Sequence, residues 1–424
     1  MNSIIKIVDN IEDIQPSNFF INKKKISEIK SIMSNVKQKG DVALRNYEKK
    51  FNNVKIKNFI VSEVDIKNAY TKVTKKQIMA IKFIRSQLIS TESALKRELH
   101  SIKINKNGLE IKKSFVPICS VGCYVPGGLA KYPSSLIMSV VPAKIAGVKR
   151  IVVTSPPNED GSIDPLILVA ADICGVNEFY KLGGAHSIAA LTYGTQTIRA
   201  VNKIIGPGGI FVTIAKSLIS NNTSIDMIAG PTELGIIVDE TSDLNFVVLD
   251  MISQAEHDVN TTCFVVTTSL NIANIIVKKL NTKIQFAKRK DIVKRSITKN
   301  GFIAICKTQK QIIDLINKLS PEHLEIMTKN SHFLSSQISN AGIVLIGKYT
   351  PSSASDYVFG SNHILPTNAF GKTRGSLSVL DFVKLDTRIK SSKSSLKKLK
   401  NYVEIITNAE NLPNHYNAVR DRFA

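Results

Sequence analysis

From about residue 115 onward, short apolar runs alternate with longer amphipathic ones, and the breaks between them carry their own signals. Ile151-Val152-Val153 reads as a buried strand. Asp164 and Pro165 then supply an N-cap and a first helical residue, Ile167 to Cys174 form the helix, and Gly175 stops it. A second strand from about Glu178 to Leu182 completes the unit. Parallel strands need a crossover of this kind, so the chain is committed to parallel sheets covered by helices. Further strand-like runs at Leu234–Val238, Cys263–Val266, Phe302–Ile305 and Ile343–Ile346 alternate with helical stretches, which predicts an α/β protein with at least two such sheets. Ahead of them, Ile26, Ile29, Met33 and Val36 recur at helical spacing, Gly40 interrupts, and Val42, Leu44, Tyr47 and Phe51 continue on a second helix.

At 424 residues the chain is too long for one ordinary core and should divide into roughly two to four domains. Its 43% apolar and 21% charged content is that of a folded globular protein and excludes wholesale disorder. Neither a leader pattern at Met1 to Asp9 nor eighteen consecutive apolar residues appear, so a cytoplasmic protein is expected. The five cysteines are odd in number and never spaced Cys-x2-Cys. They read as small buried apolar residues rather than a disulfide scaffold or a zinc knuckle. The net charge of +23 would attract an anionic partner. Its lysines are nevertheless spread among Ile and Asn over the whole length, with no tryptophan and no basic stripe interleaved with aromatics, so no specific nucleic-acid partner is expected.

Three of the seven histidines lie in polar motifs: Ser253-Gln254-Ala255-Glu256-His257, Pro321-Glu322-His323-Leu324 and Glu410-x4-His415. Asp356, in Ser355-Asp356-Tyr357, adds a carboxylate shortly before Asn362-His363. Imidazole, carboxylate and carboxamide groups drawn from distant segments are what a zinc site with adjoining acid and base groups requires. On a helix from about Asn245 to His257, Val247, Asp250, Gln254 and His257 fall along one stripe, with Glu256 on the opposite side. The same pair is also what a core histidine bonded to a neighbouring amide looks like. Glu322 and His323 follow Pro321, which favours a first helical turn or a fixed bend, and together they suit activation of a water and removal of a hydroxyl proton. Gly122-Cys123-Tyr124-Val125-Pro126-Gly127-Gly128 and Gly206-Pro207-Gly208-Gly209 permit close backbone approach to a ligand, although neither is Gly-x-Gly-x-x-Gly. Gly183-Gly184-Ala185-His186, between a strand and an Ala-rich helix, points to a cofactor cleft at the strand ends.

Taken together and in order, these stretches resemble the histidinol dehydrogenase family. The likeness runs through Val121 to Gly128, Pro142-Ala143-Lys144-Ile145-Ala146-Gly147, Ala229-Gly230-Pro231-Thr232-Glu233, Ser253 to His257, Pro321 to Leu324, Asp356-Tyr357, Asn362 to Thr367, and Glu410-x4-His415-x2-Ala418. The resemblance implies NAD-linked, four-electron oxidation of L-histidinol to L-histidine through the aldehyde. It implies Zn2+ on Gln254, His257, Asp356 and His415, with Glu322 and His323 as the acid-base pair. Thr232 and Glu410 would join those ligands and His323 around the substrate, and Tyr124, His186 and Gly209 would occupy cofactor positions. It further implies a homodimer in which the C-terminal tail reaches the other subunit's site, carried by a lysine- and serine-rich linker at about residues 384 to 400.

The implied architecture is two Rossmann-like sheet domains with small N-terminal and C-terminal helical extensions. Residues 1–19 form the N-terminal extension, 20–122 with 232–376 the domain bearing metal and acid-base residues, 123–231 the inserted NAD-side domain, and 377–424 the tail. Departures from the family pattern fall mainly on the cofactor side: His186 stands where Gln is usual and Gly209 where Asn is usual. Ser352, where an acidic residue is common, is a lesser one. A relative acting on another alcohol, or a basic binding protein without catalysis, are the competing readings, and the second leaves four matched zinc positions unexplained.

Overall fold

The structure is a computed structural model that describes residues 4–16, 23–127 and 131–423. Gly128 of the first glycine loop and residues 17–19 of the N-terminal extension lie outside the described residues.

Two parallel sheets dominate. The first has five strands, β4 (Ser120–Tyr124), β5 (Arg150–Ser155), β6 (Glu178–Lys181), β7 (Lys203–Ile205) and β8 (Ser224–Ile225), in the order β6-β5-β4-β7-β8. The second has six, in the order β1-β11-β10-β9-β12-β13, formed by β1 (Lys6–Val8), β9 (Glu233–Ile237), β10 (Thr262–Thr267), β11 (Phe302–Ile305), β12 (His323–Ile326) and β13 (Ile343–Ile346). Leaving aside the edge strand β1, both sheets have the doubly wound order 3-2-1-4-5, which opens a crevice where the strand order reverses. The central strands β4 and β9 are buried at every residue, as expected for sheets covered on both faces. The crossover read from the sequence is present: the Asp164 carboxylate accepts the Leu166 N–H at 2.9 Å, the helix runs Pro165–Ile173, and Gly175 turns with φ +66°.

The N-terminal helices α1 (Lys23–Lys39), α2 (Asp41–Asn52), α3 (Glu63–Thr71) and α4 (Lys75–Arg97) do not cover the sheet to which residues 20–122 were assigned. Ile29, Ile32, Met33, Val36 and Leu44 pack with Val152, Leu182, Ile188 and Ile204, and Ile81 and Leu88 pack with Val121, Leu136 and Ile167. These helices therefore complete the five-stranded sheet, whose own crossovers α5 (Pro133–Ala146), α6 (Pro165–Ile173), α7 (Gly184–Tyr193) and α8 (Ile210–Ile219) leave apolar faces to be covered. The assigned boundary at 122/123 falls inside β4. The first residues are likewise more than a helical extension, because β1 pairs with β11 and Ile4 and Ile5 enter the core of the six-stranded sheet. Of the residues placed on the apolar face of α2, Leu44 is buried, whereas Val42 and Phe51 are exposed and Ala43 is buried in their stead. Of the cysteines, Cys119 is exposed and the other four are buried.

A third, antiparallel sheet makes the base of the tail. β2 (Ile102–Lys106) pairs with β3 (Leu109–Pro117), and β3 pairs along its whole length with β14 (Val383–Ser391). Residues 384–400 are thus not a linker: they form β14 and the start of a helix, Lys393–Ala409, which is followed by Pro413–Arg420. The root of this arm is clamped. Glu92 of α4, buried, accepts the Val379 N–H at 2.7 Å, while Asp381 binds Arg374 at 2.9 Å and Lys203 at 3.6 Å.

Candidate active site

β9 and β12 are hydrogen-bonded neighbours, so the residues that open them lie side by side: Thr232 and Glu233 at one, Glu322 and His323 at the other. The Glu322 carboxylate is drawn into this seam. Its Oε2 accepts the Glu233 N–H at 3.0 Å and the Thr232 hydroxyl, and the Glu322 N–H donates to Glu233 Oε2 at 3.3 Å. Gln254, near the end of helix α9 (Leu244–Ala255), donates its Nε2 to Thr232 Oγ1 at 2.6 Å, which gives a continuous chain Gln254–Thr232–Glu322. His323 begins a strand, not the helical turn that Pro321 also allowed. Its Nε2 lies 3.1 Å from Asp356 Oδ1, and its Nδ1, buried and without a hydrogen bond, lies 3.7 Å from Glu322 Oε2.

The electrostatics follow from this packing. Burial would lower the His323 pKa, but the hydrogen bond to Asp356 and the charge of Glu322 outweigh it and push it up to about 9. Burial raises Glu322 despite the opposing pull of His323, Thr232 and the Glu233 N–H. Burial alone would also raise Asp356, yet its bond to His323 and the nearby His363 and His257 hold it below the usual carboxylate range. His257 and His363 are both lowered, chiefly by desolvation. Behind the seam, Asp250 and Glu325 are buried beside one another, and burial raises both. Glu325 accepts the Ser352 N–H at 2.7 Å, and the Ser352 hydroxyl has no partner.

Asp356 is held through Asn362 and His363, which lie beside it in the sequence, by residues of α5 that the sequence did not single out. His363 places its Nδ1 2.8 Å from the Asp356 carbonyl and its Nε2 3.2 Å from Ser135 Oγ on α5, and Asn362 donates to the Met138 carbonyl at 2.8 Å. The helix α5 thereby positions a loop of the other sheet. His257, exposed just past α9, lines a cleft of about 360 Å3 with Glu256, Tyr357, Tyr132, Lys131 and Arg289. Glu256 therefore shares the cleft with His257, although helical geometry separated them.

The donors present fit a zinc ion in part. Gln254 and Asp356 are buried, His257 lies within electrostatic reach of Asp356, and nitrogen with carboxylate oxygen is a ligand set that zinc accepts. The fourth expected ligand, His415, is exposed on the arm with Glu410, and neither hydrogen-bonds to the cluster. Among the described residues no group of three His, Cys, Asp or Glu side chains suited to a metal forms within one chain. That follows from the expected set, in which one member is Gln and another sits on the arm.

On the five-stranded sheet, β4 and β7 flank the reversal of strand order, and Tyr124 and Gly206 end them. Gly206 has φ +111°, and a Cβ there would run into the Tyr124 carbonyl. Gly209 caps α8, and a side chain at that position would enter open space. Tyr124 is buried, and its hydroxyl accepts the Gly184 N–H at 3.2 Å. His186 departs from the expected cofactor role: its ring is 1% exposed, with Nε2 2.8 Å from Glu48 Oε1. α7 is buried on all sides from Ala185 to Leu191, and the rings of Tyr47 and Phe51 lie beside that of His186.

Comparison with known proteins agrees with this architecture. The sequence model for histidinol dehydrogenase matches residues 19–423. The histidinol dehydrogenase of Methanocaldococcus jannaschii is 42% identical over 413 residues, covering 97% of this chain and 93% of its own. That of Oceanobacillus iheyensis is 40% identical over 401 residues, covering 95% and 94%. The crystal structure of histidinol dehydrogenase from Elizabethkingia anophelis superposes with a TM-score of 0.94 at 30% identity, covering 100% of this chain and 99% of that one. The chain is an oxidoreductase of histidine biosynthesis and belongs to the histidinol dehydrogenase family.

Proposed function

We propose that the chain oxidises L-histidinol to L-histidine through L-histidinaldehyde, using two molecules of NAD and one Zn2+ per subunit. The observation that carries this reading is the hydrogen-bonded chain Gln254–Thr232–Glu322 with His323–Asp356 beside it, because it gathers in one buried place the residues assigned to substrate, metal and proton transfer. Gln254, His257 and Asp356 would hold the ion together with His415 of a second copy, and the bound ion would supply a fixed positive charge that orients the imidazole and amine of the substrate. His323, through its unpartnered Nδ1, would take the hydroxyl proton as the first hydride leaves. It must first give up the proton that Asp356 stabilises. A cation held by Asp356 would weaken that stabilisation and favour the neutral imidazole. Glu322, whose raised pKa suits a group that both accepts and returns protons, would draw a proton from the water that attacks the aldehyde before the second hydride leaves. Thr232 fixes the Glu322 oxygen and accepts from Gln254, which ties the base to the substrate-orienting residue.

Two sites shared within a homodimer would complete this chemistry. The arm presents Ile389, Tyr402, Ile405 and Ile406 to solvent in the single chain, an apolar surface that suits a partner, and it carries Glu410 and His415 away from the chain's own body. No described helix is long and apolar enough to cross a membrane. The cytoplasm is the proposed place of action. The test is stoichiometric. Purified zinc-loaded protein given L-histidinol and NAD should form two NADH per histidine and lose this on chelation. Absence of NADH from a zinc-loaded dimer would refute the reading.

A further inference from the structure

A buried polar cluster outside the catalytic seam lies on the five-stranded sheet. Glu48 of α2 is fully buried, yet two of its three partners lie at the N-cap and in the first turn of α7, 135 and 138 residues away. Its Oε1 accepts the Gly183 N–H at 2.9 Å and sits 2.8 Å from His186 Nε2, while its Oε2 accepts the Asn52 amide at 2.5 Å. The other free N–H of the turn, on Gly184, is taken by the Tyr124 hydroxyl. The first turn of a helix usually offers its N–H groups and positive dipole end to an anion. At α7 the chain's own carboxylate fills that place.

The surroundings leave the turn little freedom. A Cβ on Gly183 would lie 2.7 Å from the Pro156 ring, so the turn is wedged between Pro156 and Glu48. The His186 ring is flanked by Tyr47 at 5.7 Å and Phe51 at 6.1 Å, two residues on the same face of α2 as Glu48. Burying a carboxylate is costly unless its bonds are all made, and here they are made to the turn that borders the expected cofactor cleft. Glu48 thus joins a helix from the N-terminal hairpin to Gly183, His186 and, through Gly184, to Tyr124.

We propose that Glu48 is a positioning residue for the dinucleotide: braced by His186, it fixes the Gly183–Gly184 turn, and through it Tyr124, in the arrangement the cofactor meets. This rests on the NAD reading above. With the Gly183 N–H bonded to Glu48 and the Gly184 N–H to Tyr124, neither is offered to a cofactor phosphate.

The experiment compares wild type, Glu48→Gln, Glu48→Ala and Asn52→Ala in the zinc-loaded enzyme. Direct NAD binding is measured by calorimetric titration, beside KM for NAD, KM for histidinol, kcat and thermal stability. Glu48→Ala is expected to weaken NAD binding at least fivefold, with a matching rise in KM for NAD and less than a twofold change in KM for histidinol or in kcat at saturating NAD. Glu48→Gln, which keeps an acceptor oxygen for Gly183, should recover part of that loss. Asn52→Ala, which touches only the other oxygen, should bind NAD as wild type does. If Glu48→Gln and Glu48→Ala lose stability but bind NAD normally, Glu48 is structural only and the inference is overturned. An equal loss for NAD and histidinol overturns it as well. Failure of the wild type itself to bind NAD removes the cofactor reading and this inference with it, whereas normal wild-type binding with unchanged variants removes the inference alone.

Discussion

The Glu92→Gln substitution separates burial of a charge from loss of a bond. Glu92 is 6% exposed on α4, accepts the Val379 N–H at 2.7 Å and faces the Asp381 carboxylate. Burial first, and Asp381 second, push its pKa up from 4.5 to about 7, with the Val379 N–H pulling the other way. A raised carboxyl pKa means that the folded state holds the proton more tightly than the unfolded chain. Stability is then highest below the unfolded value near 4.5 and falls as pH rises toward 7, beyond which the loss is complete. The shift of about 2.5 units corresponds to about 3 kcal/mol, of which about 2.5 kcal/mol is lost between pH 5 and pH 8. Gln has the same shape and an amide oxygen for Val379, but it cannot ionise. Urea denaturation of both proteins from pH 5 to pH 9 should therefore show Glu92→Gln close to wild type at pH 5 and more stable by about 2 to 3 kcal/mol at pH 8. A stability difference that does not change with pH, or a variant less stable at pH 8, would refute the reasoning.

Other consequences test the catalytic and folding roles of single groups. Glu322→Gln and His323→Gln should each lower histidinol turnover by about 10^2 to 10^4-fold. When histidinaldehyde is supplied, His323→Gln should be the less impaired of the two in stopped-flow NADH formation. Equal impairment would contradict the division of labour between them. A mixture of His323→Ala and His415→Ala, inactive singly, should recover about a quarter of wild-type activity after subunit exchange, because half the dimers then hold one intact shared site. No recovery by a mixture shown to exchange would exclude a tail acting across subunits. Asp226→Asn leaves Lys216, 2% exposed, without the carboxylate it binds. It should cost about 3 to 5 kcal/mol in urea denaturation at pH 7 and raise hydrogen exchange at Gly206, whose N–H and carbonyl that pair holds.

The parts of the fold that were legible are those whose sequence pattern names their own partner. A run such as Ile151-Val152-Val153 between Gly and Pro punctuation can only be a strand buried on both faces, and it is. An amphipathic helix states that one face is buried and says nothing of what buries it. For that reason α1 to α4 were assigned to the wrong sheet. At the site, Gln254, Glu322, His323 and Asp356 lie together, and what pointed to them in the sequence was the polar company each keeps in its motif and the order of the motifs along the chain. Glu48 stands in Tyr47-Glu48-Lys49-Lys50, which in sequence looks like a solvated face, and no local signal distinguishes it from one. The family resemblance put His186 at a cofactor position, where Gln is usual. Its rotation into the core depends on Glu48, which only the tertiary fold brings near.

The two sheets share one strand order but use opposite ends. The seam of Thr232, Glu233, Glu322 and His323 lies where β9 and β12 begin, whereas Tyr124, Gly183 and Gly206 lie where β4, β6 and β7 end. Ligand clefts in open parallel sheets ordinarily lie beyond the carboxyl ends of the strands, so only the five-stranded sheet follows the rule. The six-stranded sheet can depart from it because its site does not depend on helix dipoles at the strand ends. It is built from strand-edge N–H groups such as that of Glu233, and from a loop fastened to the neighbouring unit by Ser135–His363 and Asn362–Met138. That fastening makes the position of Asp356 a property of α5, the helix that follows the strand ending in Tyr124. On the proposed reading, a substrate at the start of β12 and a nicotinamide at the end of β4 would be held relative to each other through the Ser135–His363 and Asn362–Met138 contacts. Two successive hydride transfers from one substrate would give a physical reason for such rigidity, since the same distance would have to be met twice without release of the aldehyde.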